Sequence, residues 1–443
     1  MLKIKGLFTG EVYFIQTRLS ANSLRISISF TNIAYKIPPT EEEIRMSHIN
    51  LCYLKTTRMK RINTFLASIL LLVLAGCEGN KLSHEDVIVV DVSKSYPKKE
   101  LVLQDFMEVE YIGLETTDEF LTQGLVQDVG KEYLLVKNRN NDGDIFIFDR
   151  KTGKGVRKIN RQGQGAEEYS RINQMILDEN KGEIFVKSLG NKILVYDLYG
   201  NFKRCLNLDR DISSIYEYDK DNLIGYDMSD YHNKGKDRSR SYHVIISKQE
   251  GSIVREIFIP FKTINTPIVK DGDNFVAGYF YEIRLSHGKC ILMDSSADTL
   301  YNYAADGTLS PFVIRVPSVH TMEPEIFLYM GICTDRYYFM QTVKNVFNFE
   351  KGNGFYTDQL MYDKEEKAIY QVDVYNDDYA EKRTVGLTAR SVSREIEDVT
   401  SLNASRLVEI YNKGQLKDGK LKEIASKLDE DDNPVIMLVK QKK

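Results

Sequence analysis

The 443-residue chain has no tryptophan, nine prolines and five cysteines, and several familiar signatures are missing. Cys52, Cys77, Cys205, Cys290 and Cys333 fall at spacings that match neither a zinc site nor a disulfide framework. With Cys52 and Cys77 set aside, at most one disulfide can form, and Cys205, Cys290 and Cys333 are expected as small buried hydrophobes. There is no nucleophile elbow around a serine and no glycine-rich dinucleotide fingerprint. The histidines of the later chain, His84, His232, His243, His287 and His320, are scattered and are expected to be structural. A basic footprint is also lacking. Residues 1–76 carry 10 Lys and Arg against 4 Asp and Glu, which leaves 50 basic and 60 acidic residues beyond them, a net charge of −10. That balance excludes a nucleic-acid partner, because binding a phosphate backbone needs clustered positive charge.

What is present near the start is an address. Met59-Lys60-Arg61 precedes an apolar run from Phe65 to Leu74 and then Leu74-Ala75-Gly76-Cys77. A basic start, about ten apolar residues and a small-residue cut site make a signal peptide, and the run is too short to span a bilayer. Leu-Ala-Gly-Cys resembles the lipobox of bacterial lipoproteins, which implies lipidation of Cys77 and anchoring in a membrane. The expected divisions are therefore 1–58 as an over-extended N-terminus upstream of a true start at Met59, 59–76 as signal peptide, 77–86 as lipidated tether, and 87–443 as the exported domain. The expected location is the cell envelope, at the outer membrane.

The exported part is rich in Tyr and Phe and repeats itself. Ile145-Phe146-Ile147-Phe148-Asp149, Ile193-Leu194-Val195-Tyr196-Asp197, His243-Val244-Ile245-Ile246-Ser247, Leu300-Tyr301-Asn302-Tyr303-Ala304 and Leu360-Met361-Tyr362-Asp363 are alternating apolar runs that end in a polar turn. Short runs of β-branched and aromatic residues favour strands, and Asp or Ser followed by Gly suits hairpin turns. A period near fifty residues with several strands per unit indicates a β-propeller. Five turns with strand sequence on both sides predict six blades. The runs Val87–Val92 and Val109–Leu114, with the C-terminal run Pro434–Val439, are expected to close the ring. Residues 404–413 and 420–428 are expected as two short helices on its outside. The missing tryptophan argues against WD40 and sialidase-type propellers.

Three segments carry a family resemblance. Glu110-Tyr111-Ile112-Gly113-Leu114-Glu115-Thr116-Thr117, the stretch from Phe146 to Tyr169 with Gly163-Gln164-Gly165-Ala166-Glu167-Glu168, and Asp431-Asp432-Asn433-Pro434-Val435 resemble the six-bladed β-propeller lipoproteins of Bacteroidota. The similarity covers about 83–443 and implies fold and envelope location, but no activity. Ala166 and Glu167 stand where the family has Pro and Gly, which bears on how tight that loop is.

Sites are expected at the mouth of the central channel, where loops of several blades converge. Arg161, Gln164, Glu168 and Tyr169 are the candidate channel-mouth or loop residues. Asn138, Asn140, Asp142, Asp144 and Asp149 form a weak candidate for Ca²⁺, with oxygen side chains at alternate places. The twelfth place carries Asp149 instead of a bidentate Glu, and strands flank the loop, so a hairpin turn is the simpler expectation and no cofactor is required. The function expected is binding or scaffolding of a glycan, peptide or protein partner. The alternative is a propeller enzyme, a lyase or lactonase-like hydrolase, working at the same mouth.

Overall fold

The computed structural model describes strand residues between 2 and 29, and residues 87–388 and 390–442. The signal segment, Cys77 and the tether lie outside the described residues. In the first 29 residues, Leu2–Lys5, Val12–Ser20 and Ser23–Ser29 form an antiparallel sheet, with Leu2 opposite Ile15 and Ser20 opposite Ser23.

The unit from Glu85 to Lys443 is a six-bladed β-propeller. Blades I to III are four-stranded antiparallel sheets that begin with Leu125–Val129, Gln174–Asp178 and Ile212–Glu217. Blades IV and V begin with Ile283–Ser286 and Ile326–Cys333. Each gains a fifth, parallel strand from the N-terminal side of the domain: Ile88–Asp91 on blade IV and Lys98–Val102 on blade V. Blade VI joins Ile396–Leu402 to Val435–Gln441, and that strand pairs antiparallel with Met107–Gly113.

The repeat read from the sequence marks one element. Asp149, Asp197, Ser247 and Asp363 each end the third strand of their blade, and Ala304 follows the third strand of blade IV. Six blades show five such turns because blade VI has three strands, the second from the C-terminal end and the third from the N-terminal side. No peptide connects them, so no turn is needed. Closure therefore uses Met107–Gly113, and the expected closing run at 87–92 instead extends blade IV.

Six hydrophobic clusters fill the six seams between neighbouring blades. Leu135, Ile147, Ile184 and Tyr196 belong to the seam of blades I and II, and Ile112, Phe146, Ile436 and Leu438 to the seam that closes the ring. Each blade buries both faces only because a neighbour covers each one, which is what makes the ring close. The two expected helices are observed as Ala404–Asn412, capped by the Asn403 side chain, and Lys420–Ala425. Leu407, Ile410, Leu421 and Ala425 pack with Met107, Tyr111 and Val435 over the seam of blades V and VI. Cys290 and Cys333 are buried, with burial pushing both thiols up to about 12. Cys205 departs from expectation: it is only half-buried, because it lies on the outermost strand of blade II.

Candidate functional site: the channel and its mouth

The first strand of each blade faces the channel and leaves one backbone edge without a ladder partner. Unpaired backbone groups away from water are costly, and side chains supply the bonds here. Asp128 of blade I accepts the N–H of Leu177 in blade II at 2.7 Å. Gln174 of blade II accepts the N–H of Ile215 in blade III at 3.0 Å and donates to its carbonyl. The Ser286 hydroxyl of blade IV accepts the N–H of Cys333 in blade V at 2.7 Å. A polar residue in an otherwise apolar inner strand thus stitches it to the next blade.

Blade VI completes the circle differently. Ahead of its first strand, residues 387–388 and 390–395 form no strand but run along the channel. Leu387 accepts the N–H of Ile332, and the Ser391 hydroxyl accepts from Leu285 N–H at 3.1 Å and donates to its carbonyl at 2.9 Å. The Arg390 guanidinium donates to the carbonyl of Gln127, and Arg394 to that of Tyr218. This segment therefore contacts blades I, III, IV and V.

Between it and blades I to III lies a cavity of about 230 Å³, at the end of the channel where the first hairpin of each blade turns. Its wall includes Gln127, Asp128, Lys131, Glu179, Tyr216, Glu217, Arg390 and Arg394. Three of the wall's carboxylates are committed, whereas that of the exposed Glu395 has no partner among the described residues. Glu179 accepts three backbone N–H groups, from Lys131, Glu132 and Tyr133, at 2.7 to 2.9 Å. Glu217 accepts from Lys248, whose ammonium also meets Asp178, both at 2.8 Å. Burial pushes Asp128 up to about 7, against two backbone N–H donors and the charge of Arg390. The site offers fixed hydrogen-bonding groups and cations, and Asp128, Glu179 and Glu217 are held by the fold.

The residues picked from the sequence sit elsewhere. Arg161, Gln164, Glu168 and Tyr169 lie on the connection from blade I to blade II and do not line this cavity. The buried Tyr169 hydroxyl accepts from Arg161 N–H at 2.8 Å and donates to Gly143 O at 2.7 Å, and Arg161 Nε donates to Gly200 O at 2.9 Å. Glu168 accepts the N–H of Gly165 at 2.8 Å, so the loop is tight despite Ala166 and Glu167. In the weak Ca²⁺ set, Asn138 donates to Asp142 at 2.7 Å, Asp144 pairs with Lys158 at 2.9 Å, and Asp149 turns back on Thr152 at the far end of the strand. Among the described residues, no group of three or more His, Cys, Asp or Glu is placed to hold a metal ion. Asp128, Gln174, Arg390 and Ser391 were missed; for Asp128 and Gln174 the available signal was a polar residue inside an apolar inner strand, as in Leu125-Val126-Gln127-Asp128-Val129, and for Arg390 and Ser391, outside any strand, there was none.

Residues 78–401 match the model of DUF5128, described as a 6-bladed beta-propeller. The chain belongs to this family. None of the curated proteins matches it. Among solved structures, a protein of Bacteroides fragilis NCTC 9343 described as exported is 18% identical, with a TM-score of 0.52 over 81% of this chain and 100% of that one. A member of the DUF4221 family from Bacteroides vulgatus ATCC 8482 is 12% identical, with a TM-score of 0.42 over 77% of this chain and 99% of that one. An inactive virginiamycin B lyase of Staphylococcus aureus is 14% identical, with a TM-score of 0.33 over 57% of this chain and 74% of that one. For this DUF5128 member, no helix among the described residues is long and apolar enough to cross a membrane.

Proposed function

We propose that this DUF5128 member is a cell-envelope lipoprotein, anchored at the outer membrane through lipid on Cys77, whose propeller binds a glycan, peptide or protein partner without transforming it. The observation that carries the binding reading is the cavity at the first-hairpin mouth, walled by blades I to III and the channel segment. At about 230 Å³ it falls below the roughly 300 to 1,000 Å³ of ordinary small-molecule pockets. It suits one sugar unit or the end of a peptide better than a whole metabolite. Arg390, Arg394 and Lys131 favour a ligand group rich in hydroxyl, carbonyl or carboxylate oxygens. Binding is favoured over catalysis because Asp128, Glu179 and Glu217 already hold backbone or lysine partners.

The test is thermal shift of the detergent-solubilised full chain against envelope glycans, dietary glycans and short peptides, with Ca²⁺ or EDTA. A ligand that binds only the folded state at a hundredfold excess over Kd stabilises it by about 2.7 kcal/mol. The expected result is a shift with one ligand class, weakened by Arg394→Ala and indifferent to EDTA. Turnover of that ligand, or a shift lost in EDTA, would overturn the binding reading. Labelling with a fatty-acid analogue, lost in Cys77→Ala, tests the anchor separately.

A further inference from the structure

The opposite mouth of the channel carries a group that the first site does not use. Glu282 directly precedes the first strand of blade IV, at the end of the channel away from the first hairpins. It is 6% exposed, and its carboxylate makes no hydrogen bond or ion pair with any other described residue. Its backbone carbonyl is engaged by Met293 N–H at 2.8 Å and by the His243 ring at 3.2 Å, and its carboxylate meets its own backbone N–H. Buried carboxylates normally have partners, because an uncompensated charge out of water is expensive.

The surroundings are aromatic and acidic. The charge of Glu282 acts on the buried hydroxyls of Tyr216, Tyr226, Tyr231 and Tyr329. Of these, Tyr216 also lines the first cavity. Asp294, whose charge acts on Glu282, is also buried and accepts from Tyr226 at 3.0 Å. His243, beside the Glu282 backbone, is held neutral, its pKa lowered to about 4 by burial.

The rings continue outward. Tyr231 stacks on Tyr279 at 5.4 Å, and Phe280 stacks on Tyr329 at 4.9 Å. Tyr279 is 64% exposed and Tyr281, next to Glu282, 43%. The Tyr231 hydroxyl donates to Gly278 O, which fixes the platform. Exposed tyrosine rings beside a carboxylate that no cation meets among the described residues suit an organic cation, by cation–π attraction and direct pairing. A bare metal ion would find no ligand cluster among the described residues, and a neutral sugar would leave the charge unmatched.

We propose that the Tyr279–Glu282 mouth is a second binding site, which takes the ammonium group of an organic amine, with Glu282 as counter-charge and Tyr231, Tyr279 and Tyr281 as ring walls. Burial pushes the Glu282 carboxyl up to about 8, so an arriving cation would also stabilise its ionised form.

The experiment titrates the detergent-solubilised full chain, by calorimetry at pH 8.5, with glucosamine, ethanolamine and Nα-acetyl-lysine, and with N-acetylglucosamine as the uncharged counterpart of the first. Binding of at least one amine, no binding of N-acetylglucosamine, and at least a tenfold loss of amine affinity in Glu282→Gln are expected. Glu282→Gln keeps the shape and removes only charge, and its fold is checked by circular dichroism. Tyr279→Ala, an exposed position, is expected to weaken amine binding severalfold without lowering Tm. Equal binding of N-acetylglucosamine, undiminished binding by Glu282→Gln, or no binding of any amine would each overturn the proposal.

Discussion

Asn433 accepts the backbone N–H of Thr122 through Oδ1 at 2.8 Å, across 311 residues of sequence. The same side chain donates to the carbonyls of Glu115, at 2.7 Å, and Phe120, while its own N–H donates to the Thr116 hydroxyl at 2.9 Å. Asn433 is 1% exposed and precedes the C-terminal strand that pairs with Met107–Gly113. One amide thus clasps the two ends of the ring, and both ends belong to segments of the family resemblance.

Removing that amide leaves three backbone groups unmet beneath the surface. Each buried polar group without a partner costs about 1–3 kcal/mol. Asn433→Ala is expected to lower the unfolding free energy by about 3 kcal/mol, read from the midpoint of urea denaturation. Asn433→Asp keeps the acceptor but loses both donors, and its loss is expected to be comparable. A change below about 0.5 kcal/mol in Asn433→Ala would show that closure rests on strand pairing alone.

The ring was legible because its evidence is local: each third strand and its turn recur in the sequence, at Asp149, Asp197, Ser247, Ala304 and Asp363. The parallel additions at Ile88–Asp91 and Lys98–Val102 were not, because a parallel edge strand has no hairpin to announce it and its place is set by docking. The site was least legible. Asp128 and Gln174 read as strand polar residues until the channel brings Leu177 and Ile215 against them. Arg161 and Tyr169, chosen from a glycine-rich motif, carry chemistry-bearing side chains that the loop spends on itself.

The buried carboxyls set a pH dependence with a definite sign. Burial raises Asp128 and Asp398 to about 7, well above their unfolded value near 3.9. The folded state then binds more protons than the unfolded chain in this interval, so their contribution is full below about pH 4 and is lost as pH rises through 7. Asp363 and Glu183 are lowered to about 2. For Asp363, burial acts against the hydrogen bonds from Arg336, the Glu366 backbone and Lys99 that lower it. For Glu183, the hydrogen bonds from Arg204 and Lys203 outweigh burial. Their contribution is present above about pH 4 and falls away towards pH 2. Melting temperature is therefore expected to peak between about pH 4 and 6 and to decline towards 8. Asp398→Asn should flatten the alkaline arm; an unchanged slope in that variant would remove Asp398 as a cause.

The Ser391 hydroxyl ties the channel segment to blade IV. Ser391→Ala deletes both bonds to Leu285 while leaving the backbone free to stay in place. A loss of about 1–3 kcal/mol is expected, together with faster hydrogen exchange of the Leu285 amide and of residues 390–395. Exchange confined to the surface turns, with Leu285 as protected as before, would mean that Arg390 and Arg394 hold the segment without it.

Lys248 and Asp178 supply the last prediction, because the cavity wall depends on them. The Lys248 side chain is 1% exposed and the Asp178 side chain 2%, and the ammonium also holds Glu217 at the cavity. Breaking a buried pair from one side costs about 3–5 kcal/mol, since the remaining charge is stranded, whereas replacing both partners is often close to neutral. Lys248→Met alone is expected to lose that amount and to loosen Glu217 into the cavity. Asp178→Asn together with Lys248→Met is expected to recover at least half of it, and a double-mutant cycle reads the difference directly. Simple additivity of the two losses would show that the charges do not feel each other. In the double variant Glu217 still lacks its lysine, so a ligand of the cavity that depends on a fixed Glu217 should bind more weakly even where stability returns.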